Sequence, residues 1–244
     1  MKKISNKMTF WEHIDELRYR IISVFFIVLL ATILSYFFID SILELIRVPI
    51  IDIVKSNPNI KEAFKSIASP FFLSISTSLY SGVFIAFPFI LYNMLRFIFP
   101  AMNKRRFLFL SIVIFFSVTL FLIGVFLAYK IIFPISLSFL ATFLPSSGDV
   151  PLFIFVNEYV SLIFSTTMFI GLVFQLPIIS LFLSRLKLIN SKTLSGKRKY
   201  AILLSFVFSA IITPPDVISQ IILSIPILIL YEISIIIAKF SNND

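Results

Sequence analysis

Four apolar runs, each long enough to cross a bilayer, decide what this chain can become: about Ile21–Ile39, Leu73–Phe99, Phe107–Phe133 and Tyr159–Leu183. A spanning helix needs about 20 largely apolar residues. Two more runs follow, Tyr200–Thr213 and Val217–Ala238, separated by "TPPD" (Thr213–Asp216). The first of them covers roughly 21 Å at 1.5 Å per residue, against a hydrocarbon core of about 30 Å. Alone it would read as a re-entrant segment. With its neighbour it reads as a tight hairpin, because paired prolines end a helix and push the preceding residue out of the helical region. Composition agrees: 59% of the 244 residues are hydrophobic and only 14% are charged, too little polar surface to coat a water-soluble globule. The expected fold class is all-α: one polytopic membrane domain, residues 1–244, with six transmembrane helices.

Six spans place both termini on one side, and lysine and arginine choose the side. Fifteen of them lie on the terminal side: Lys2, Lys3, Lys7, Arg18, Arg20, Lys104, Arg105, Arg106, six in Arg185–Lys199, and Lys239. Four lie opposite, Arg47, Lys55, Lys61 and Lys65, with Arg96 and Lys130 near span ends. The positive-inside rule then makes both termini cytoplasmic or matrix-side. In the first opposite loop, "SILELIRVPIIDIV" (Ser41–Val54) has apolar residues at near-helical spacing around Pro49 and reads as a short amphipathic helix. Both an ordinary cap and a partner-docking surface fit it.

Several chemistries are excluded. The chain has no cysteine and one histidine, His13, and carries no HExxH, GxSxG or P-loop pattern. No enzyme activity and no cofactor are expected, and no nucleic-acid partner. The first apolar run, about 19 residues without a small-residue cleavage site, is not read as a signal peptide. Abundant Phe, Ile, Asn and Lys suggests an AT-rich genome, which suits an organelle or a reduced bacterium.

The charge pattern has one anomaly. "TFWEHIDELRYRII" (Thr9–Ile22) gathers Glu12, Asp15 and Glu16 just before the first span, although the chain has only twelve carboxylates. On a helix, Phe10, Ile14, Leu17 and Ile21 form one apolar stripe, while Glu12 and Glu16 are i, i+4 neighbours on a polar face bordered by Asp15. Two readings fit. The acids either pair locally, Glu16 with Arg20 for instance, or form a carboxylate site for a cationic ligand, which a guanidinium fills best.

"HIDELRYRII" resembles the opening signature of the TatC family, the multi-spanning receptor of the twin-arginine protein translocase. The resemblance continues through "SPFF" (Ser69–Phe72), "FPFILYNMLRFIFPAM" (Phe87–Met102), "IGVFLAYKIIFP" (Ile123–Pro134), "FIGLVFQLP" (Phe169–Pro177) and "ITPPDVISQIILSIPILILYEISI" (Ile212–Ile235). It implies a cupped bundle with short last helices. It also implies a receptor for signal peptides with paired arginines, which moves folded proteins using the protonmotive force and no nucleotide. The opening signature carries over Glu16 as the arginine-binding acid, and helical proximity adds Glu12 and Asp15. Pro49, Phe97, Gln175, Asp216, Gln220 and Glu232 are candidate translocation or partner contacts. Expected partners are twin-arginine signal peptides, small single-span subunits of the TatA and TatB type, the bilayer, and further copies of this chain. The membrane expected is the mitochondrial or the bacterial inner membrane; the short "TPPD" disfavours the thylakoid.

Two departures from the family pattern stand out. The first terminal-side loop, "PAMNKRRFLF" (Pro100–Phe109), has three bases and no carboxylate where the family usually supplies a second acid. Gln175 stands where many relatives have a buried glutamate, and reads as either a polar packing contact or a retained substrate or partner contact. Glu232 reads as either an interfacial carboxylate or one paired inside the bundle. Asp216 reads as a cap on the sixth helix or part of the path, and Lys130 as snorkelling to headgroups. Other membrane classes fit less well. A six-span rotary stator needs a mid-membrane arginine and an intramembrane protease a paired catalytic arrangement, and the spans offer neither.

Overall fold

The computed structural model describes residues 10–56, 60–98, 104–141, 152–212 and 217–241. The first span is α1 (Phe10–Phe37), which leads through α2 (Ile39–Ser56) and β1 (Ile60–Ala63) to the second, α3 (Ser69–Ile98). The third runs end to end through α4 (Lys104–Leu127), a π-helical turn (Ala128–Ile132) and α5 (Phe133–Ala141). After β2 (Leu152–Phe155), the fourth consists of α6 (Val156–Val173) and α7 (Leu176–Arg185). The short α8 (Ser191–Gly196) precedes the last pair, α9 (Arg198–Ile212) and α10 (Val217–Ser241). Five spans are long enough to cross alone. The sixth, α9, has 15 residues, about 22 Å of helix, so the short span expected from the sequence is present. The "TPPD" turn, with Asp216, lies outside the described residues.

Chain contacts group into two compact units, Met1–Ser41 with Ser74–Val118 and Ile42–Leu73 with Thr119–Asp244. In the first, α1 and α3 approach at Gly82. A Cβ there would sit 2.7 Å from the Thr32 Cα, so only glycine permits the crossing. Neighbouring buried residues are small as well: Ala31 and Ser35 on α1, Ser78 and Ala86 on α3. Their hydroxyls turn back on their own helices, Ser35 to the Ala31 carbonyl at 2.8 Å and Ser78 to that of Ser74 at 2.7 Å. Without water, close backbone contact and internal hydrogen bonds replace the hydrophobic effect as the glue.

The second unit interlocks two phenylalanines with two glycines. The Phe121 ring covers Gly171 and the Phe174 ring covers Gly124. Ala128, Ile132, Ile170, Phe174, Leu223, Ile227 and Leu230 make its buried core. Across α7 and α10, Ser180 donates to the Ser234 carbonyl at 3.0 Å and Ser184 to that of Ala238 at 3.3 Å.

The prolines required answers. Pro49 lies inside α2 and cannot donate to the carbonyl four residues back. That carbonyl, Leu45, accepts from the Tyr129 hydroxyl instead, and the adjacent Ile46 carbonyl accepts from the Tyr159 hydroxyl at 3.1 Å. The amphipathic helix expected over Ser41–Val54 is therefore real, and two tyrosines tie it to the third and fourth spans. Just before Pro134 the third span widens into its π turn, where the Phe133 N–H reaches the Ala128 carbonyl. The fourth span, a single apolar run in the sequence, breaks at Phe174–Gln175: Gln175 N–H bonds to Leu172 at 3.0 Å, and Pro177 lies in the first turn of the next helix. An apolar stretch reveals length, while the break is set by a single imino ring.

One element was not expected. Strands β1 and β2 pair in parallel, from Ile60 opposite Leu152 to Ala63 opposite Phe155. Ion pairs Arg47–Glu62 and Lys65–Glu158 flank them, and the Lys65 ammonium lies 4.9 Å from the Phe155 ring centre. Four-residue strands leave too short a period to read.

Three substitutions test this packing. Gly82→Leu should lower thermal stability in detergent by about 3 kcal/mol, the upper end of ordinary overpacking. Gly196→Ala, whose added methyl meets nothing within 4 Å, should melt like the parent. Tyr159→Phe should leave the Ile46 carbonyl without its donor, costing about 1–3 kcal/mol, with faster proteolysis of α2 as the second readout.

Candidate functional site

The acidic turn belongs to α1, whose first turns run from Phe10 through the signature. Burial along it favours the polar side. Ile14, Leu17 and Ile21 are exposed, at 40%, 40% and 61%, while Arg20 is 9% exposed and His13 and Glu16 are half-buried. The reason is the solvent. Apolar side chains gain nothing by leaving lipid, whereas a charged pair gains by facing protein. Glu12 and Asp15 lie on the exposed side.

The inward groups form a short chain of contacts. His13 stacks on Phe97 at the end of α3, with centroids 4.3 Å apart and planes 17° from parallel. One turn further, Glu16 Oε1 accepts from both Nε, at 3.1 Å, and Nη2 of Arg20. Glu16 Oε2 is buried and accepts no hydrogen bond among the described residues. On α3, Arg96 donates to the Tyr92 hydroxyl at 2.9 Å and lies over the Tyr92 ring, and Asn93 donates to the Phe89 carbonyl at 2.9 Å. Thus, from the candidate set, Phe97 meets His13 and Glu16 meets Arg20, with His13 and Glu16 one turn apart on α1. The Glu16–Arg20 pair is the local i, i+4 pairing that the sequence offered. The aromatic stack on His13 left no signal in sequence.

Of the other candidates, Pro49, Gln175, Gln220 and Glu232 belong to the second unit. Pro49 sits beneath the two tyrosine hydroxyls. Gln175 is 5% exposed at the break in the fourth span. Gln220 donates to the Phe206 carbonyl at 2.9 Å, holding α10 to α9. Glu232 takes Arg198 in a two-pronged pair, 2.7 Å from Nε and 2.9 Å from Nη2. Beside it the Tyr231 hydroxyl donates to the Leu194 carbonyl at 2.8 Å, so α10 holds the loop that leads into α9. Glu232 is ion-paired but exposed, which is not the pairing inside the bundle that one sequence reading offered.

That loop has a further constraint. At the end of α7, Lys187 adopts a left-handed backbone with φ 59°. Its N–H bonds to Ser184 at 2.9 Å and that of Leu188 to Leu183 at 3.0 Å, a Schellman cap in which glycine is usual. Asn190 then caps α8 through its side chain, 2.7 Å from the Thr193 N–H.

Comparisons with known proteins agree along nearly the whole chain. The family model for the Sec-independent protein translocase protein (TatC) matches residues 12–226. The Sec-independent protein translocase protein TatC of Desulforapulum autotrophicum is 33% identical over 239 residues, 98% of this chain and 87% of that protein. That of Aquifex aeolicus is 35% identical over 238 residues, 96% of each. A solved structure described as the twin arginine translocase receptor TatC superposes with a TM-score of 0.78 at 34% identity, covering 94% of this chain and 99% of its own. With six spans, the opening signature on α1 and these matches in hand, the chain belongs to the TatC family of integral membrane proteins.

Proposed function

We propose that this chain is the receptor subunit of a twin-arginine translocase, and that Glu16 receives the arginines of the signal peptide. The observation that carries the site is the position of Glu16: a carboxylate turned inward at the start of the first span, one turn from an aromatic pair, with one oxygen unpartnered among the described residues. Glu12 and Asp15, exposed on the adjoining face, draw the signal in by long-range attraction. Phe97, stacked on His13, lines the approach for the apolar residues that follow paired arginines. Both termini face the cytoplasm or matrix, as fifteen bases against four support. The membrane is a bacterial or mitochondrial inner membrane.

The other candidates divide by what they touch. Pro49 and Gln220 shape α2 and the α9–α10 pair, and Gln175 marks the bend of the fourth span. Glu232 fixes the loop before α9. Asp216 and Gln220 are candidates for the translocation path. Single-span Tat subunits and further copies of this chain are the partners, and the protonmotive force drives transport. Short α9 thins the bilayer beside it, easing passage without a permanent pore.

Glu16→Ala should weaken binding of a diarginine signal peptide to the purified protein by at least about tenfold, as expected when a charge-assisted contact is lost. Peptide binding equal to that of the parent would remove Glu16 from the site. One leucine-rich turn added to α9 should impair transport while leaving insertion intact. Normal transport by that variant would count against bilayer thinning.

A further inference from the structure

The carboxylate assigned to the incoming arginine already holds one. We infer that Arg20 is a latch: an internal stand-in for the targeting guanidinium, which must leave Glu16 before a signal peptide can bind. The inference rests on the receptor reading of Glu16 and adds regulation to it.

Three features of the pair support a latch. First, the chemistry is the same: Arg20 offers Glu16 the guanidinium donors that a targeting arginine would offer. Second, the pair is turned inward, with Arg20 9% exposed and the Glu16 side chain 16% exposed. An arriving peptide therefore meets a neutral pair and not a free anion. Third, the latch is incomplete. Both Arg20 donors converge on Oε1, whereas a two-pronged arginine–carboxylate pair uses both oxygens. The buried Oε2 accepts nothing among the described residues, a poor setting for an anionic oxygen. A rotation of Glu16 toward the exposed face would satisfy that oxygen and release Arg20 together.

Neighbouring charges favour exchange with a doubly cationic ligand. Glu12, Asp15 and Arg18 are all exposed on α1 around the pair, while Arg96 on α3 is occupied by Tyr92. Two adjacent guanidiniums bring one group for Glu16 and a second for Glu12 or Asp15. A lone arginine on a passing protein brings one, and competes with a tethered rival on equal chemical terms. Once displaced, Arg20 extends its long side chain to the headgroup region. The latch thus raises the threshold for single cations more than for paired arginines.

The test is equilibrium binding of fluorescent diarginine and dilysine signal peptides to the purified full chain, for the parent and four variants. Arg20→Gln should tighten diarginine binding about fivefold, the scale of one modest ion pair, and dilysine binding by more. Within Glu16→Gln, adding Arg20→Gln should change nothing. Damage to the fold does not raise affinity, so a gain belongs to the latch. Unchanged or weaker binding by Arg20→Gln, alongside loss in Glu16→Gln, would overturn the latch and leave the receptor intact. Parent-like binding by Glu16→Gln would overturn both. Should Arg20→Gln fail to insert, Arg20→Lys decides: its ammonium lacks the planar fork, so binding should still tighten, by a smaller factor, and a failure to tighten overturns the proposal.

Discussion

In hydrocarbon, no backbone N–H or carbonyl can be left to solvent, and this requirement shapes the protein more than any single contact. It accounts for spans that are helical throughout and for the response wherever a proline interrupts one. Beneath Pro49 two tyrosine hydroxyls take the carbonyls of Leu45 and Ile46. Before Pro134 the helix widens into a π turn, and before Pro177 it tightens and restarts. Many serines and threonines donate to a carbonyl within their helix or across to a neighbour, as Ser180 and Ser184 do toward α10. Each repair also fixes a direction, so the breaks become the points that orient the spans.

The same requirement governs charge. Where lipid is the surroundings, the inside of the bundle is the polar side, and ion pairs settle against protein. Among the described residues, Glu16–Arg20 and Glu232–Arg198 stand on the spans and their ends, beside Lys65–Glu158 at the head of α6. The first two differ in exposure: one is turned inward, the other half-exposed. An inward pair at the start of α1, incompletely satisfied, can store a binding capacity. A half-exposed two-pronged pair serves as a fastening for the loop between α7 and α9.

Much of this was legible in the sequence. Hydropathy located six spans, including the short one, and the apolar spacing around Pro49 located α2. The opening signature pointed to Glu16. What escaped reading did so for physical reasons. Parallel pairing of Ile60–Ala63 with Leu152–Phe155 joins segments about 90 residues apart, which no local pattern records. The stack of Phe97 on His13 is likewise a meeting of two helices.

The central claim is that the arginines of a targeting sequence dock at the head of α1. The most direct test is a signal peptide with a photoreactive residue beside its arginine pair, irradiated on the intact protein in membranes, with the adducts mapped by mass spectrometry. Adducts concentrated on Trp11 to Arg20 and on Phe97 are the predicted result. Adducts confined to the Arg185–Lys199 loop or to α10, with none on α1, would contradict it.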